Sequence, residues 1–277
     1  MYLRQMANLH AKTVEGFGDE WDAFDQSTLT PDEHQRIFNA YFEGFPLDEL
    51  RGAEGFDLGC GSGRWAALVG PQVGKLHCID PAAKALAVTR RRNIPNAVCH
   101  EACAETMPLS NASQDFGYSL GVLHHVPDTA AALTACVRKL KPGAPFLLYL
   151  YYDFENRPLW FRYVWKASNL VRGGVSRLPF GLRRAFSDVT ATLVYWPLSR
   201  FSRVVERLGY NPSNIPLSHY RHNSFYSLRT DALDRFGTRL EQRFSRDAVR
   251  RMMENAGLAD IRFRESEPYW VAWGRKI

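Results

Sequence analysis

Two adjacent histidines, His124 and His125, follow an apolar run in the stretch SLGVLHHVPD, residues 119–128. Imidazole groups here could bind a metal ion, accept a proton near neutral pH, or hydrogen-bond the chain where a strand meets a loop. Adjacent residues of an extended chain point to opposite sides, so we expect only one ring to reach a common site. Two adjacent histidines are poor ligands for one metal, and no carboxylate cluster accompanies them, so we expect no metal.

A glycine-rich segment, FDLGCGSGRW at residues 56–65, lies between a short apolar run and a helix-like one. Its glycines, Gly59, Gly61 and Gly63, allow a tight turn and a close approach of the backbone to a ligand. The helix that follows would offer free backbone N–H groups. Asp57 precedes the glycines, where its carboxylate would repel a pyrophosphate but suit an ammonium or sulfonium group.

A second acidic residue, Asp80, ends the next apolar run, KLHCID, 23 residues after Asp57. A carboxylate at the end of a second parallel strand is well placed to accept hydrogen bonds from ribose hydroxyls. A dinucleotide-binding loop needs a third glycine at position 64, where this chain has Arg64. We therefore expect a ligand with a ribose and a cationic end, and no binding of nicotinamide cofactors.

These segments resemble the motifs of class I S-adenosylmethionine-dependent methyltransferases of the small-molecule type, such as the ubiquinone and rebeccamycin enzymes. DLGCGSG is similar to their first motif, CID to their second, ACAETMPL to the segment after strand three, and SLGVLHHVPD to the fourth-strand segment. The resemblance covers residues 50–152 and 245–277. It implies S-adenosyl-L-methionine as the cofactor and S-adenosyl-L-homocysteine as its product.

The resemblance also implies which residues contact the cofactor. Ala104 and Glu105 are expected to hold adenine, although Cys103 stands where the family often has Asp. Phe17 and Trp21, at helical spacing in the N-terminal segment, are expected either to close over the cofactor or to pack into the core. The expected cofactor-binding residues are Asp57, Gly59, Cys60, Gly61, Arg64, Asp80, Pro81, Ala104, Glu105, Leu120, Phe17 and Trp21.

Methyl transfer to a hydroxyl requires alignment of acceptor, methyl and sulfur, and removal of a proton. We expect His125 to accept that proton and His124 to pack or to contact the cofactor. The alternative is that neither histidine acts chemically and that positioning alone drives the transfer. No Asn/Asp-Pro-Pro-aromatic sequence follows the fourth strand, which disfavours nucleobase amines and glutamine as acceptors. A hydroxyl is the default acceptor, with carbon or a small-molecule amine left open.

The elements that must position these residues follow a regular pattern. Short apolar runs alternate with helix-like segments over residues 55–152, which predicts an α/β fold. We expect a Rossmann-like, doubly wound, mostly parallel seven-stranded sheet with a helical lid inserted after strand five. The predicted parts of a single methyltransferase domain, 1–277, are an N-terminal cap (1–54), a cofactor-binding core (55–152), the helical substrate lid (153–240), and a last helix with terminal strands (241–277).

Two helices of this pattern carry recognisable start signals. Asp128 is predicted to cap the helix that follows the histidines, and Ser245 to cap the last helix. The first of these helices is expected to bury one face, made of Ala130, Leu133, Val137 and Leu140.

The basic charge of the chain is concentrated in the predicted lid. Residues 151–235 hold thirteen Lys and Arg against six acidic residues, while the whole chain has a net charge of +6. The aromatic and basic residues of the lid could form a packed layer with a solvated face, a pocket for an anionic acceptor, or a surface resting on an anionic membrane. Nucleic acid is disfavoured because the charge is local and no binding module accompanies it.

Substrate contacts are expected from polar and aromatic residues just before the lid and within it. The alternative is that these polar residues form structural salt bridges. The candidate residues are Tyr151, Tyr152, Tyr220, Arg221, Tyr226, Arg229 and Asp234.

Composition limits the remaining possibilities. The chain has 277 residues, 45% of them hydrophobic, and no run approaches the ~18 apolar residues of a membrane span. Five cysteines, an odd number lying mostly in apolar runs, indicate reduced thiols and a cytoplasmic protein. We expect a small-molecule methyltransferase, by default an O-methyltransferase of natural-product or cell-surface glycan biosynthesis. The alternatives are a non-catalytic cofactor-binding scaffold or sensor, and an N- or C-methyltransferase of a lipid-like or quinone-like acceptor.

Overall fold

The computed structural model describes residues 8–277 of the chain. Seven strands form one sheet in the order β3-β2-β1-β4-β5-β7-β6. Strands β1 to β5 are parallel, and β7 runs antiparallel to both β5 and β6. The strands are β1 Glu54–Leu58, β2 Lys75–Asp80, β3 Ala97–Glu101, β4 Phe116–Leu120, β5 Pro145–Tyr149, β6 Leu258–Phe263 and β7 Val271–Lys276. The predicted mostly parallel, doubly wound sheet is confirmed.

Helices connect the strands and fill the segment between β5 and β6. They are α1 Ala11–Ala23, α2 Pro31–Phe42, α3 Ala66–Val69, α4 Ala83–Arg91, α5 Thr129–Lys139, α6 Leu159–Val175, α7 Phe180–Thr190, α8 Trp196–Arg207, α9 Phe225–Gly237 and α10 Arg246–Asn255. A wider π-helical turn, Ala191–Tyr195, joins α7 to α8. Four helices, α6 to α9, therefore lie between β5 and α10, in agreement with the predicted helical insertion after strand five.

Apolar side chains on the central strands build the core that fixes the strand ends. Phe56, Phe116, Tyr118 and Phe146 are fully buried in the sheet. Phe116 lies where a side chain on Gly55 would be, 2.4 Å from the position of its Cβ, and so requires glycine on the neighbouring strand. Close packing of this kind holds the ends of β1 and β4 in a fixed relation.

Both predicted helix caps are present. The Asp128 carboxylate accepts a hydrogen bond from the Ala131 N–H, and the Ser245 hydroxyl accepts one from the Ala248 N–H. The predicted face of α5 is wrong at Ala130, which is exposed, while Ala132 is buried instead. Helix α5 begins at Thr129, so Ala130 lies in the first turn of the helix, where its side chain is exposed.

The chain divides into two compact units. Among the described residues, the first unit comprises residues 8–26, 36–153 and 240–277 and contains the whole sheet. The second comprises residues 27–35 and 154–239 and contains only helices and turns in the described chain. Its small core is formed by Val175, Ala191, Tyr195, Leu228, Ala232 and Phe236. No helix in the described part of the chain has the length and apolar character needed to cross a membrane.

Candidate functional site

The glycine loop follows β1 and depends on backbone conformations that favour glycine. Gly59, Gly61 and Gly63 have φ angles of +75°, +56° and +72°. A Cβ atom on Gly59 would lie 2.3 Å from Val122, and one on Gly61 would lie 2.9 Å from the Trp21 ring nitrogen. The loop is therefore enclosed on two sides, and any larger residue would displace one of its neighbours.

Asp80, at the end of β2, holds this loop in place. Its Oδ2 accepts a hydrogen bond from the Gly61 N–H at 2.9 Å, and its Oδ1 accepts one from the Ala82 N–H at 2.8 Å. Burial raises the pKa of Asp80 to about 6, and the two N–H donors limit the rise. Each oxygen retains a second lone pair, so the predicted bonds to ribose hydroxyls are compatible with this additional role.

Asp57 is buried at the end of β1 with an unsatisfied oxygen. No described residue donates a hydrogen bond to its Oδ2, and the Ser62 hydroxyl in the loop is also buried without a partner. Burial, with a smaller contribution from the nearby Asp80 carboxylate, raises the pKa of Asp57 to about 8, and Tyr118 and Arg64 limit the rise. Unpaired buried polar atoms of this kind are costly, and a cationic, hydrogen-bonding ligand would satisfy them.

The raised pKa of Asp57 predicts how stability depends on pH without ligand. A carboxyl of ordinary pKa near ~3.9 in the unfolded chain binds fewer protons there than in the fold, so stability falls as pH rises towards about 8. Asp80 contributes the same trend only up to about pH 6. We expect Asp57→Asn to flatten the decline between pH 6 and 8, stabilising the protein at pH 8 by about 1 kcal/mol or more.

Urea unfolding of both proteins at pH 6, 7 and 8 measures this difference. Asp48→Asn, which changes an exposed acidic residue, is the control and should follow the wild-type profile. Parallel profiles for Asp57→Asn and wild type would show that Asp57 is ionised in the unliganded fold.

Helix α1 contacts both halves of the site. Trp21 lies over Gly61, and the Arg64 guanidinium lies 5.8 Å from the Trp21 ring centroid and 4.3 Å from that of Trp65. One turn earlier, the Phe17 ring centroid is 4.9 Å from that of His125. The two aromatic residues predicted to close over a cofactor thus lie beside the glycine loop and the histidine pair.

The histidine pair does not continue the strand, which corrects the geometry expected from sequence. Strand β4 ends at Leu120, Gly121 has a φ of +79°, and Leu123–His125 form one 3-10 turn. The rings of His124 and His125 are therefore not on opposite sides of an extended chain, and their centroids lie 4.0 Å apart. Both side chains are buried.

His125 is oriented by a backbone carbonyl. Its Nδ1 lies 2.7 Å from the carbonyl oxygen of Leu240, 115 residues away in sequence. Because a carbonyl oxygen only accepts, Nδ1 carries the hydrogen, and Nε2 of the neutral ring carries a lone pair. This tautomer is the one that a proton acceptor requires.

His124 has a different environment. Its ring stacks on Tyr151 with centroids 3.8 Å apart, and neither ring nitrogen has a hydrogen-bond partner among the described residues. Burial lowers the pKa of His124 well below its ordinary value, and the nearby His125 and Arg243 add to the effect. His124 is therefore neutral, and its contacts are those of a packing residue.

The predicted adenine segment is linked to the chain ahead of α1. Ala104 is buried, whereas Glu105 is exposed and its Oε1 accepts a hydrogen bond from the Asn8 amide at 2.6 Å. Asn8 also accepts from the Asp128 N–H and donates to the Asp128 carbonyl. Sequence reasoning missed Asn8, because a single polar residue ahead of a helix carries no signal of a partner about 100 residues away.

Three other predicted cofactor residues lie around the same strand ends. Leu120 is buried at the end of β4, and Pro81 follows Asp80 directly. The Cys60 sulfur lies 3.8 Å from the Thr89 hydroxyl, and burial raises the pKa of this thiol to about 11. A contact from Cys60 to a cofactor would therefore come from its backbone.

The predicted substrate residues are divided between the two units. Tyr151 joins the histidine pair, but the Tyr152 ring packs 5.4 Å from that of Tyr269. The other five lie in the second unit: Tyr220, Arg221, Tyr226, Arg229 and Asp234.

Both arginines of that set form ion pairs within the second unit. Arg229 makes a bidentate contact with Asp188, at 2.7 and 2.8 Å, and Arg221 contacts Glu206 at 2.8 Å. These pairs favour the structural interpretation over direct recognition of an anion. Across residues 8–277, no group of three or more His, Cys, Asp and Glu side chains could hold a metal ion.

Residues 56–148 match the family described as "Methyltransferase domain". Among curated proteins, an uncharacterised transposon protein of Streptomyces fradiae is 34% identical over 108 residues, covering 37% of this chain and 31% of that protein. The ubiquinone biosynthesis O-methyltransferase of Paracidovorax citrulli is 34% identical, and the match covers 35% of this chain and 43% of that protein. The corresponding enzyme of Pseudomonas aeruginosa strain LESB58 is 32% identical, and the match covers 37% of this chain and 47% of that protein. The chain thus spans less than half the length of these relatives.

Solved structures share the fold at low identity. A possible histamine N-methyltransferase of Thermotoga maritima is 15% identical with a TM-score of 0.50, covering 94% of this chain and 100% of that one. A Haloferax volcanii methyltransferase, solved with the activator Trm112, is 15% identical with a TM-score of 0.57, covering 95% and 96%. The residues that match the family model include the glycine loop, Asp80 and the histidine pair. Residues 56–148 are therefore similar to the methyltransferase domain family, and the chain shares the fold of the solved methyltransferase structures.

Proposed function

We propose that the protein transfers the methyl group of S-adenosyl-L-methionine to a small-molecule acceptor. The observation that carries the proposal is the buried Asp57 oxygen without a partner, beside a glycine loop whose Gly61 N–H is held by Asp80. S-adenosyl-L-methionine has an ammonium and a sulfonium group as well as ribose hydroxyls. These groups match the two carboxyl groups of the site in charge and in hydrogen-bonding capacity.

Different residues of the site would contact different parts of the cofactor. Asp57 and Ser62 would satisfy its polar and cationic end, and Asp80 would accept from the ribose. Phe17 and Trp21 of α1 would cover it and exclude water. The bound cofactor supplies an electrophilic methyl group attached to sulfur.

His125 is proposed as the residue that accepts a proton from the acceptor. Its Nδ1–H is fixed by the Leu240 carbonyl, so Nε2 carries the lone pair with which the ring would take a proton from an acceptor hydroxyl. His124 and Tyr151 would keep the ring of His125 in place through packing, since the His124 ring stacks on Tyr151 and contacts His125. This arrangement supports oxygen as the atom that receives the methyl group.

The acceptor is proposed to be a small hydroxylated molecule of natural-product or cell-surface glycan biosynthesis. The similarity to ubiquinone biosynthesis O-methyltransferases supports O-methylation, and the helical segment 154–239, which follows β5, is proposed to bind the acceptor. A cytoplasmic location is proposed because none of the five cysteines, all within the described residues, forms a disulfide.

Binding and turnover test the proposal separately. Calorimetry should show that the protein binds S-adenosyl-L-methionine and S-adenosyl-L-homocysteine but not NAD. Incubation with methyl-labelled cofactor and a metabolite extract should then transfer label to a small molecule whose purified form is also methylated. Binding without transfer to any acceptor would favour a cofactor-binding scaffold or sensor, and absence of binding would refute the assignment of the site.

A further inference from the structure

Helix α6 exposes an apolar stripe to solvent. Tyr163 and Val164 follow Trp160 by three and four residues, and Leu170 and Val171 follow that pair by seven residues, or two turns, which places all five on one face of the helix. All five are exposed, and Leu170 is 81% exposed. A helix whose apolar face meets water normally covers that face with another element, a partner or a membrane.

The next two helices expose a second stripe of the same kind. Along α7, the π-helical turn and α8, the exposed side chains follow the helical repeat. They are Leu182, Val189, Leu193, Phe201, Val204 and Leu208. Outside residues 154–239, the described chain exposes only two comparable side chains, Val98 and Ile277. The exposed apolar surface is therefore concentrated in the second unit.

Contacts with α9 show that both stripes face away from the core of this unit. On α6, Ser168 accepts a hydrogen bond from Arg235, and Arg172 donates to the Thr238 carbonyl. On α7, the buried Ser187 hydroxyl donates a hydrogen bond to the Ala232 carbonyl at 3.4 Å. Because successive residues of a helix are about 100° apart around its axis, Arg172 and Ser187 lie roughly 100° or more from the middle of the exposed stripe of their helix.

Basic residues accompany the stripes. Residues 159–208 hold nine Lys and Arg and only two acidic residues, Asp188 and Glu206. Both acidic side chains are engaged in ion pairs, with Arg229 and Arg221 respectively. Four of the basic side chains in this segment are exposed: Lys166, Arg177, Arg184 and Arg207. The surface is therefore both apolar and strongly cationic.

We propose that these two stripes and the basic residues around them, here called the basic apolar face, bind the surface of an anionic lipid bilayer. Trp and Tyr side chains have an apolar ring and a polar group that suit the lipid headgroup region, and Lys and Arg attract anionic headgroups. A second copy of the chain is a poorer occupant, because a symmetric contact would bring two sets of nine cations together. The proposal does not depend on the methyl transfer.

Vesicle flotation with the full chain tests the proposal. We expect binding to vesicles of phosphatidylcholine with 30% phosphatidylglycerol, weak binding to phosphatidylcholine alone, and weaker binding at high salt. Val164→Glu with Leu170→Glu should reduce the bound fraction about tenfold or more, because both exposed positions lose apolar contact and gain repulsion. Lys166→Gln with Arg184→Gln should weaken binding about fivefold per charge removed.

Ile277→Glu is the control, since it alters an exposed apolar residue outside the second unit and should leave binding unchanged. Circular dichroism and S-adenosyl-L-methionine affinity should be the same in all variants, which separates surface effects from misfolding. Absence of vesicle binding, or equal binding by wild type and the two double variants, would overturn the proposal. Light scattering that shows a dimer without lipid, dissociated by Val164→Glu with Leu170→Glu, would assign the face to self-association instead.

Discussion

Replacement of His125 by alanine is expected to lower turnover by about 10²–10⁴-fold with little change in cofactor affinity. The reason is the tautomer set by the Leu240 carbonyl, which places a lone pair on Nε2 of a ring that follows the end of β4. His125→Gln should not restore activity, because an amide cannot take the proton. Single-turnover kinetics with saturating labelled cofactor, alongside calorimetry, separate the chemical step from binding.

His124→Phe is the matched control for this experiment. A phenyl ring preserves stacking on Tyr151, and the imidazole nitrogens it replaces have no partners in the described structure. We expect its turnover to remain within about tenfold of wild type. A His125→Ala enzyme within threefold of wild type from pH 6 to 8 would contradict the role of His125, and positioning alone would then account for the transfer.

The second large effect is expected at Asp80. Asp80→Ala removes the acceptor of the predicted ribose hydrogen bonds, each worth about 1.5–3 kcal/mol when charge-assisted, or roughly tenfold to 100-fold in affinity. The substitution also removes the acceptor of the Gly61 and Ala82 N–H hydrogen bonds that order the loop. The loss of cofactor affinity should therefore exceed the contribution of one ribose hydrogen bond. Calorimetry with S-adenosyl-L-homocysteine measures this without any contribution from turnover.

Glu101→Ala provides the comparison for Asp80→Ala. Glu101 is exposed at the end of β3 and pairs in register with Asp80, so it tests loss of an acidic residue at the same sheet edge. Its affinity should equal that of wild type. Asp80→Ala with unchanged affinity would refute the assignment of Asp80 to the cofactor site.

Most of the parallel strands could be predicted from sequence because β1, β2, β4 and β5 are buried on both faces, whereas β3 is only partly buried. Each of the four buried strands is a short, mainly apolar run, and KLHCID coincides with β2 to the residue. The glycine loop could also be recognised in the sequence, because a positive φ at Gly59, Gly61 and Gly63 leaves few alternatives to glycine. Local constraints of this kind can be recognised in the sequence.

The contacts that decide the chemistry could not be predicted, because they join distant parts of the chain. The partner of His125 is a backbone carbonyl, which every residue possesses, so nothing in the sequence distinguishes Leu240. The turn at Leu123–His125 depends on Gly121, whose conformation inverts the side that the histidines face. The ion pair of Arg229 with Asp188 likewise depends on the packing of α7 against α9.

The buried pair of carboxyl groups has one further consequence. With pKa values raised to about 8 and about 6, Asp57 and Asp80 differ in charge across the neutral range, and Asp57 retains a proton in the empty site. A cationic ligand must displace that proton, so protons and cofactor compete for the same carboxylate. The site would therefore load more readily in slightly alkaline conditions, and each binding event would acidify its surroundings.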